Sequence, residues 1–447
     1  MERTYLIRTF GCQMNEHDSE RIAGLLMADG LTPTEDLDQA GVVVFNTCAI
    51  RENAEDRLYG NLGHLKPLKD RNPALRIVVA GCLAQKDQGT IQARAPWVDV
   101  VVGTHALPQL LDLLATAERD GPQMDVSEST EVFPSALPAA RHDDFRAWVS
   151  IAPGCDNACT FCIVPLVRGP QRSRSIGDIV AEVQGLARRG VIEITLLGQN
   201  VNTYGRDVTV PGSSSRPLFA DLLRVLGAIE GIRRVRFTSP HPHDFTPDVI
   251  DAMAETSSVC EHIHFPLQSG SDRVLKAMQR SYRRDRYLGW LERIRAAIPG
   301  IAVSTDIIVG FPTETEDDFL GTLDVVERAG FDSAYTFQYS PRPGTRAAGF
   351  ADQVPKEVVQ ERFDRLLVLQ ERISLERARA QVGHAFEVLV EGVGKRGPSI
   401  QARTRTNRIV HMPDELDPGT FAWTRITGAA PHYLTGELVP APDVAGV

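Results

Sequence analysis

The order of apolar runs along the chain predicts an α/β protein in three parts: an N-terminal open parallel α/β domain, a central partial (β/α)6 barrel of the TIM type, and a small C-terminal antiparallel β-barrel. Three observations carry this. Strand-like and helical patterns alternate through residues 1–118, six strand-like runs separated by helical ones fill 143–373, and only short β-rich runs follow over 374–441. Residues 119–142 lose periodicity and gain Ser, Pro and acidic residues, the composition of a linker.

In the first part the pairs are 5–10 with 17–27, 41–45 with 52–65, and 77–80 with 85–94. Each strand-like run is followed by a cysteine: Cys12, Cys48 and Cys82. Ligands of open α/β sheets sit beyond the carboxyl ends of the strands, so the three thiols should meet at one edge and could ligate a metal cluster. A lone strand-end cysteine is usually a small buried hydrophobe. Three at equivalent positions, two preceded by glycine (Gly11 and Gly81), favour the shared role.

The central strands are expected at 148–152, 192–197, 235–239, 262–266, 302–309 and 334–339, with helices at 176–189, 218–229, 246–255, 285–297 and 316–328. Just after the first strand comes Gly154-Cys-Asp-Asn-Ala-Cys-Thr-Phe-Cys162, at the barrel face where such folds keep their sites. Cubane clusters normally take four thiolates, so a loop supplying Cys155, Cys159 and Cys162 leaves one iron open to a small molecule. A structural zinc loop is the alternative, but no second CxxC or His pair lies nearby to complete four ligands. Gln199, Asn200, Ser239, Gln268, Ser269 and Asp306 stand at or after barrel strand ends, where they could contact a ligand or cap the next helix. His241, His243, His262 and His264 resemble a ligand cluster by count, yet alternate residues of a strand share a face and can simply pack. Cys260 fits neither triplet and reads as a buried hydrophobe.

A helix over 356–379 should bridge to the last domain, whose strands are expected at 385–390, 399–403, 409–412, 420–426 and 433–438. Net charge is −10, against wholesale nucleic-acid binding, but Lys395, Arg396, Arg403, Arg405 and Arg408 form a run without an acidic residue. Arg280, Arg283, Arg284 and Arg286 form a second cluster. Most such runs are solvated faces; on a small barrel they suggest a nucleic-acid surface by analogy of fold alone. With 43% hydrophobic and 24% charged residues over 447, the composition suits two or three globular domains. Apolar stretches fall far short of the roughly 18 residues of a membrane span, and the first residues lack a secretory pattern, so the expected location is cytoplasmic. Seven scattered cysteines suit metal or free-thiol use better than a disulfide framework.

Together these parts resemble the methylthiotransferase family of radical S-adenosylmethionine enzymes over almost the whole chain, with its three-cysteine N-terminal domain, radical core and RNA-binding TRAM domain. Phe10-Gly-Cys-Gln-Met-Asn-Glu-His-Asp-Ser19, Asn46-Thr-Cys-Ala-Ile-Arg-Glu52 and Gly154-Cys-Asp-Asn-Ala-Cys-Thr-Phe-Cys-Ile-Val-Pro165, with Arg168-Gly169 and Ser173-Arg174, resemble the branch acting on N6-prenylated adenosine in tRNA. The resemblance implies conversion of N6-dimethylallyladenosine at tRNA position 37 to its 2-methylthio derivative. It implies two 4Fe–4S clusters, a catalytic one on Cys155, Cys159 and Cys162 and another on Cys12, Cys48 and Cys82, with S-adenosylmethionine as radical source and methyl donor. Phe161 would lie beside the cofactor's adenine, and Gln268 and Asp306 are further candidates for cofactor contact. Implied partners are tRNA and an electron donor such as flavodoxin or ferredoxin, with the enzyme a monomer. Other branches act on threonylcarbamoyl-adenosine in tRNA or on ribosomal protein S12 and form the alternative reading. An electron-transfer protein would need four thiolates per cluster, which seven cysteines do not supply. An RNA-binding module with structural cysteines is the third possibility. Thr313 stands where the family is expected to place glycine, which leaves the conformation of that loop open.

Overall fold

The computed structural model describes residues 3–49, 52–128, 137–141, 143–208, 216–394 and 399–442. Lys395 and Arg396 of the basic run therefore lie outside the described residues. The first domain comprises β1 (Thr4–Phe10), α1 (Gln13–Ala28), β2 (Thr32–Pro33), β3 (Val42–Thr47), α2 (Glu52–Arg71), β4 (Arg76–Ala80), α3 (Cys82–Asp87), α4 (Gly89–Arg94), β5 (Val100–Val102), α5 (Leu110–Asp120) and β6 (Gln123–Asp125). Its parallel sheet runs β2-β1-β3-β4-β5-β6. Every residue of β3 is buried, which is why that strand reads as an unbroken apolar run rather than an alternation. The helix expected over 85–94 is instead two short ones, broken at Gln88 with φ 47°. A further difference is β6, which pairs with β5 inside the stretch read as linker. An edge strand bonds through its backbone and needs no apolar period, so the sequence carried no signal for it.

The second domain holds β7 (Arg146–Ala152), α6 (Val164–Arg168), α7 (Ile176–Arg188), β8 (Glu193–Gly198), α8 (Phe219–Gly227), β9 (Arg234–Phe237), α9 (Pro247–Glu255), β10 (His262–His264), α10 (Asp272–Ala277), α11 (Arg284–Ala297), β11 (Ala302–Val309), α12 (Glu316–Ala329) and β12 (Ser333–Gln338). Two parallel three-stranded sheets, β7-β8-β9 and β10-β11-β12, join through the bridge between Val235 and Val259. Strands β12 and β7 do not pair, so the barrel is open on that side. Its helices pack outside on a core that includes Val149, Ile194, Val235, Ile263, Val303 and Ile307.

Helix α13 (Lys356–Arg379) bridges two cores: Leu366 and Ile373 pack on the open barrel, and Ala378 packs in the last domain. There β13 (Ala385–Val393), β14 (Ile400–Thr404), β15 (Ile409–Met412), β16 (Phe421–Ala429) and β17 (Leu434–Val439) close a barrel in the order β13-β14-β15-β17-β16. All pairs are antiparallel except β15 with β17.

The small barrel plugs the end of the open barrel where the strands begin. Arg234 Nη1 donates to the Arg403 carbonyl at 2.9 Å, and Arg236 donates to the carbonyls of Thr404 and Arg405, each at 2.9 Å. In return Arg405 makes a bidentate pair with Glu261 at 2.8 Å, and Arg408 reaches Asp332 at 2.6 Å. Arg403 is held by Glu391, which also takes Arg146 of β7. Within the basic run that suggested a nucleic-acid surface, Arg403, Arg405 and Arg408 are thus occupied by carboxylates: Glu261 and Asp332 clamp one domain to the next, and Glu391 joins Arg403 to Arg146.

Candidate active site

Both cysteine triplets sit at carboxyl ends of parallel strands, and the domains turn those ends toward each other. Cys12 caps α1, Cys48 follows β3, and Cys82 opens α3. Asn15 Oδ1 accepts from the backbone N–H of Cys12 at 3.4 Å and faces its Sγ at 3.5 Å. Asn15 in turn donates to Asn46 Oδ1 at 3.1 Å, and Asn46 donates to the Asn15 carbonyl at 2.8 Å and to Ser19 at 2.9 Å. Gly81 has φ 87°, and a Cβ there would stand 2.2 Å from Asn46 Oδ1, so glycine is what lets the third strand end approach. A hydrogen bond from Cys48 lowers the Cys12 thiol to about 5; burial opposes this and the Arg168 charge assists it. Burial raises the Cys82 thiol, with Arg168 again pulling the other way.

Arg168 comes from the other domain. It ends α6, the helix just beyond the second cysteine loop, and Ile163 and Val167 around that helix pack inside the first domain's core. Its guanidinium meets Asp18 of α1 at 2.7 Å, both side chains being buried. One short helix thus ties the two cysteine loops together.

The second loop begins at Gly154, whose φ of 78° and 2.0 Å clearance from a Cβ to the Pro170 carbonyl demand glycine. Cys155 N–H donates to the Gly169 carbonyl, Thr160 is pinned to Ala277 and Met278 at the end of α10, and the Cys162 N–H closes a turn on Cys159. Asn157 N–H points at Cys155 Sγ at 3.4 Å, and Arg280 Nη1 at Cys159 Sγ at 3.5 Å. Arg280 is thus turned toward the cysteine loop, not displayed as part of a solvated basic face. Burial pushes the Cys162 thiol up to about 12 and raises Cys155 as well.

One cavity of about 690 Å³ spans the two domains, lined by Cys12 and Cys48 on one side and by Phe161, Cys162, Gln268 and Asp306 on the other. Phe161 also packs beside Val274, Met278, Phe311 and Ala347, so it anchors the loop as well as lining the chamber. Gln268 and Ser239 adopt φ values of 67° and 57°, left-handed conformations held at the ends of barrel strands next to the cavities. Asp306 receives His264 Nε2 at 3.2 Å, and His262 and His264 both contact Ser304 Oγ, at 3.1 and 3.0 Å. His241 instead stacks edge-on with Tyr282, so the four histidines do not converge. Asn200 bonds Asp244, and Ser269 supports the turn at Ser271, which absorbs both into the wall. Cys260 is buried. Asp306 and Phe337 also line a second cavity of about 550 Å³ inside the barrel, reaching Glu391 and Arg403 at the far end.

The supporting residues Asn15, Asn46, Arg168 and Arg280 had no separate role in the sequence reading. The first three lie within the motif words that carried the resemblance, which was the only signal available for them.

Sequence comparison follows the same division. Residues 4–103 match Uncharacterized protein family UPF0004, 149–326 the Radical SAM superfamily, and 379–439 the TRAM domain. The chain is 56% identical over 444 residues to the tRNA-2-methylthio-N(6)-dimethylallyladenosine synthase of Mycolicibacterium smegmatis, covering 97% of this chain and 87% of that one. The chain belongs to the MiaB family of radical S-adenosylmethionine methylthiotransferases. The synthase of the same name from Nocardia farcinica is also 56% identical to this MiaB-family chain, covering 97% of it and 89% of the relative. Among solved structures, the radical S-adenosylmethionine methyltransferase TsrM from Kitasatospora setae matches with a TM-score of 0.56 at 13% identity, over 78% of this chain and 77% of that one. That likeness concerns the fold. Among the described residues no helix is long and apolar enough to cross a membrane.

Proposed function

We propose that the chain converts N6-dimethylallyladenosine at position 37 of tRNA to its 2-methylthio derivative, by sulfur insertion and methylation at C2. The observation that carries this reading is the single chamber lined by cysteines of both triplets. Sulfur transfer to a carbon needs the activated carbon and the sulfur source within reach of each other, and a chamber between the loops supplies that proximity.

The loops fit two 4Fe–4S clusters, one on Cys155, Cys159 and Cys162 and one on Cys12, Cys48 and Cys82. Two features support the fit. Buried thiols such as Cys162 ionise only beside a strong positive charge, which irons provide. Thr47 Oγ1, next to Cys48, is buried without a protein partner. When bound, the clusters and S-adenosylmethionine supply the electron, the carbon radical, the sulfur and the methyl group.

The chain's own residues hold and enclose. Arg280 steadies the Cys159 thiolate, and Arg168 and Asn15 steady Cys12. Gln268, Asp306 and Phe161 face the space for S-adenosylmethionine. Phe10, Ala54, Ile163, Ile308, Phe337 and Tyr339 give the chamber an apolar wall suited to a prenylated adenine and to excluding water. The electron would come from a flavodoxin- or ferredoxin-type donor, and a tRNA substrate places the monomeric enzyme in the cytoplasm.

Mass spectrometry of nucleosides from total tRNA of cells with and without the gene tests the reading. Loss of the 2-methylthio nucleoside with accumulation of N6-dimethylallyladenosine is expected. An unchanged nucleoside with loss of another methylthio product would transfer the chain to a different branch.

A further inference from the structure

Arg403, Arg405 and Arg408 of the last domain are spent on carboxylates at the far end of the barrel, so a polyanionic substrate draws positive charge from elsewhere as well. The cavity between the domains has it. Arg57 of α2 is exposed on one lip, and Arg342, in the loop after β12, stands on the other. Among the described residues neither guanidinium has a carboxylate partner, in a chain where Arg21, Arg146, Arg168, Arg174, Arg362 and Arg403 all do. Asn61 accepts from the exposed Arg8 at 3.1 Å and donates to the Arg57 carbonyl at 2.6 Å, placing a further cation beside the first lip. Arg346, exposed and four residues beyond Arg342, donates to the neutral Gln279 at 2.8 Å. A chain of net charge −10 therefore keeps a cation from each of two domains in the lining of its chamber.

We propose that Arg57 and Arg342 form a two-sided phosphate clamp: they hold the RNA backbone on either side of one extruded nucleoside while its base enters the chamber. The inference rests on the RNA substrate proposed above and assigns the residues that receive it. Extruding a nucleotide leaves its two flanking phosphodiesters at the rim of the pocket, one toward each lip. Facing guanidiniums from two domains meet that pattern, and contacts to phosphate fix register without reading the base. The clamp also explains how a base can be presented at the chamber although Arg403, Arg405 and Arg408 are engaged at the opposite ends of the barrel strands.

The test measures binding of the full-length reconstituted protein to an anticodon stem-loop RNA, with and without N6-dimethylallyladenosine, by fluorescence anisotropy across a salt series. Arg57→Gln and Arg342→Gln should each weaken both RNAs equally and reduce the slope of log K against log salt by about 0.7, the double variant by about 1.4. Arg188→Gln, exposed in the last turn of α7, should leave the slope unchanged. Unaltered slopes in the two lip variants, an equal change in Arg188→Gln, or weakening confined to the prenylated RNA would overturn the clamp. Wild-type protein that binds neither RNA would overturn the tRNA reading together with the clamp. Both lip substitutions are at surface-accessible cations, and unchanged thermal unfolding of each variant verifies that the fold is intact.

Discussion

Replacing Arg168 by Met removes one partner of the buried pair that ties the cysteine loops together. At 2.7 Å and an effective dielectric of about 20, the attraction between Arg168 and Asp18 is roughly 6 kcal/mol, most of it offset by the cost of taking both charges out of water. The pair as a whole therefore adds little, but removing one side leaves Asp18, 2% exposed, as an uncompensated charge. Loss of about 3–5 kcal/mol is expected. The readout is hydrogen exchange of the α1 and α6 amides in the apoprotein, which reports local opening directly in a multidomain chain. The double variant Asp18→Asn/Arg168→Met should recover most of the loss. Burial works to raise the Asp18 carboxyl, but Arg168 and His17 overcome it and hold the group below its ordinary 3.8. The pair's contribution is therefore present above pH 3.8 and lost as pH falls through the lower folded value, and Arg168→Met should lack that acid dependence. A single variant within about 1 kcal/mol of wild type, or a double variant as weak as the single, would refute the reasoning.

Three other perturbations follow from the same geometry. Arg405→Ala combined with Arg408→Ala should loosen the clamp between barrel and last domain by about 1–2 kcal/mol and speed tryptic release of the C-terminal barrel; retained protection would contradict the clamp. Thr313 sits at φ 72°, a costly conformation for a β-branched residue even with Arg273 bonding its carbonyl, so Thr313→Gly should raise thermal stability by roughly 0.5–1 kcal/mol. Burial raises Glu20 to about 7 from 4.5. The folded state then holds this proton more tightly: its stabilisation is present below pH 4.5 and lost as pH rises through about 7. The difference in unfolding free energy between wild type and Glu20→Gln should accordingly shift by up to about 3 kcal/mol across that window, and a flat difference would rule the assignment out.

Much of the site was legible because its chemistry is local. Cys155, Cys159 and Cys162 lie within eight residues, and the cysteines after β3 and β4 follow runs whose burial on both faces makes them readable as strands. Short or edge elements were not legible: β6 and α6 bury too few side chains to show a period. The arginines were misread for a different reason. A run of Arg403, Arg405 and Arg408 without acidic neighbours looks unpaired along the chain, yet Glu261, Asp332 and Glu391 reach it from elsewhere. The loop conformation that the sequence left open at Thr313 is left-handed, at φ 72°.

By itself the sequence determined the three-part architecture, the two cysteine triplets and the family, since periodicity and close spacing are properties of neighbouring residues. Only the tertiary structure decided that cysteines of both triplets line one chamber, that Arg168 joins their loops, and that Arg403, Arg405 and Arg408 are occupied while Arg57 and Arg342 line the chamber from its two domains. Those are relations between charges and surfaces far apart in the chain, and electrostatic pairing and burial depend on distance in space, which no local pattern records.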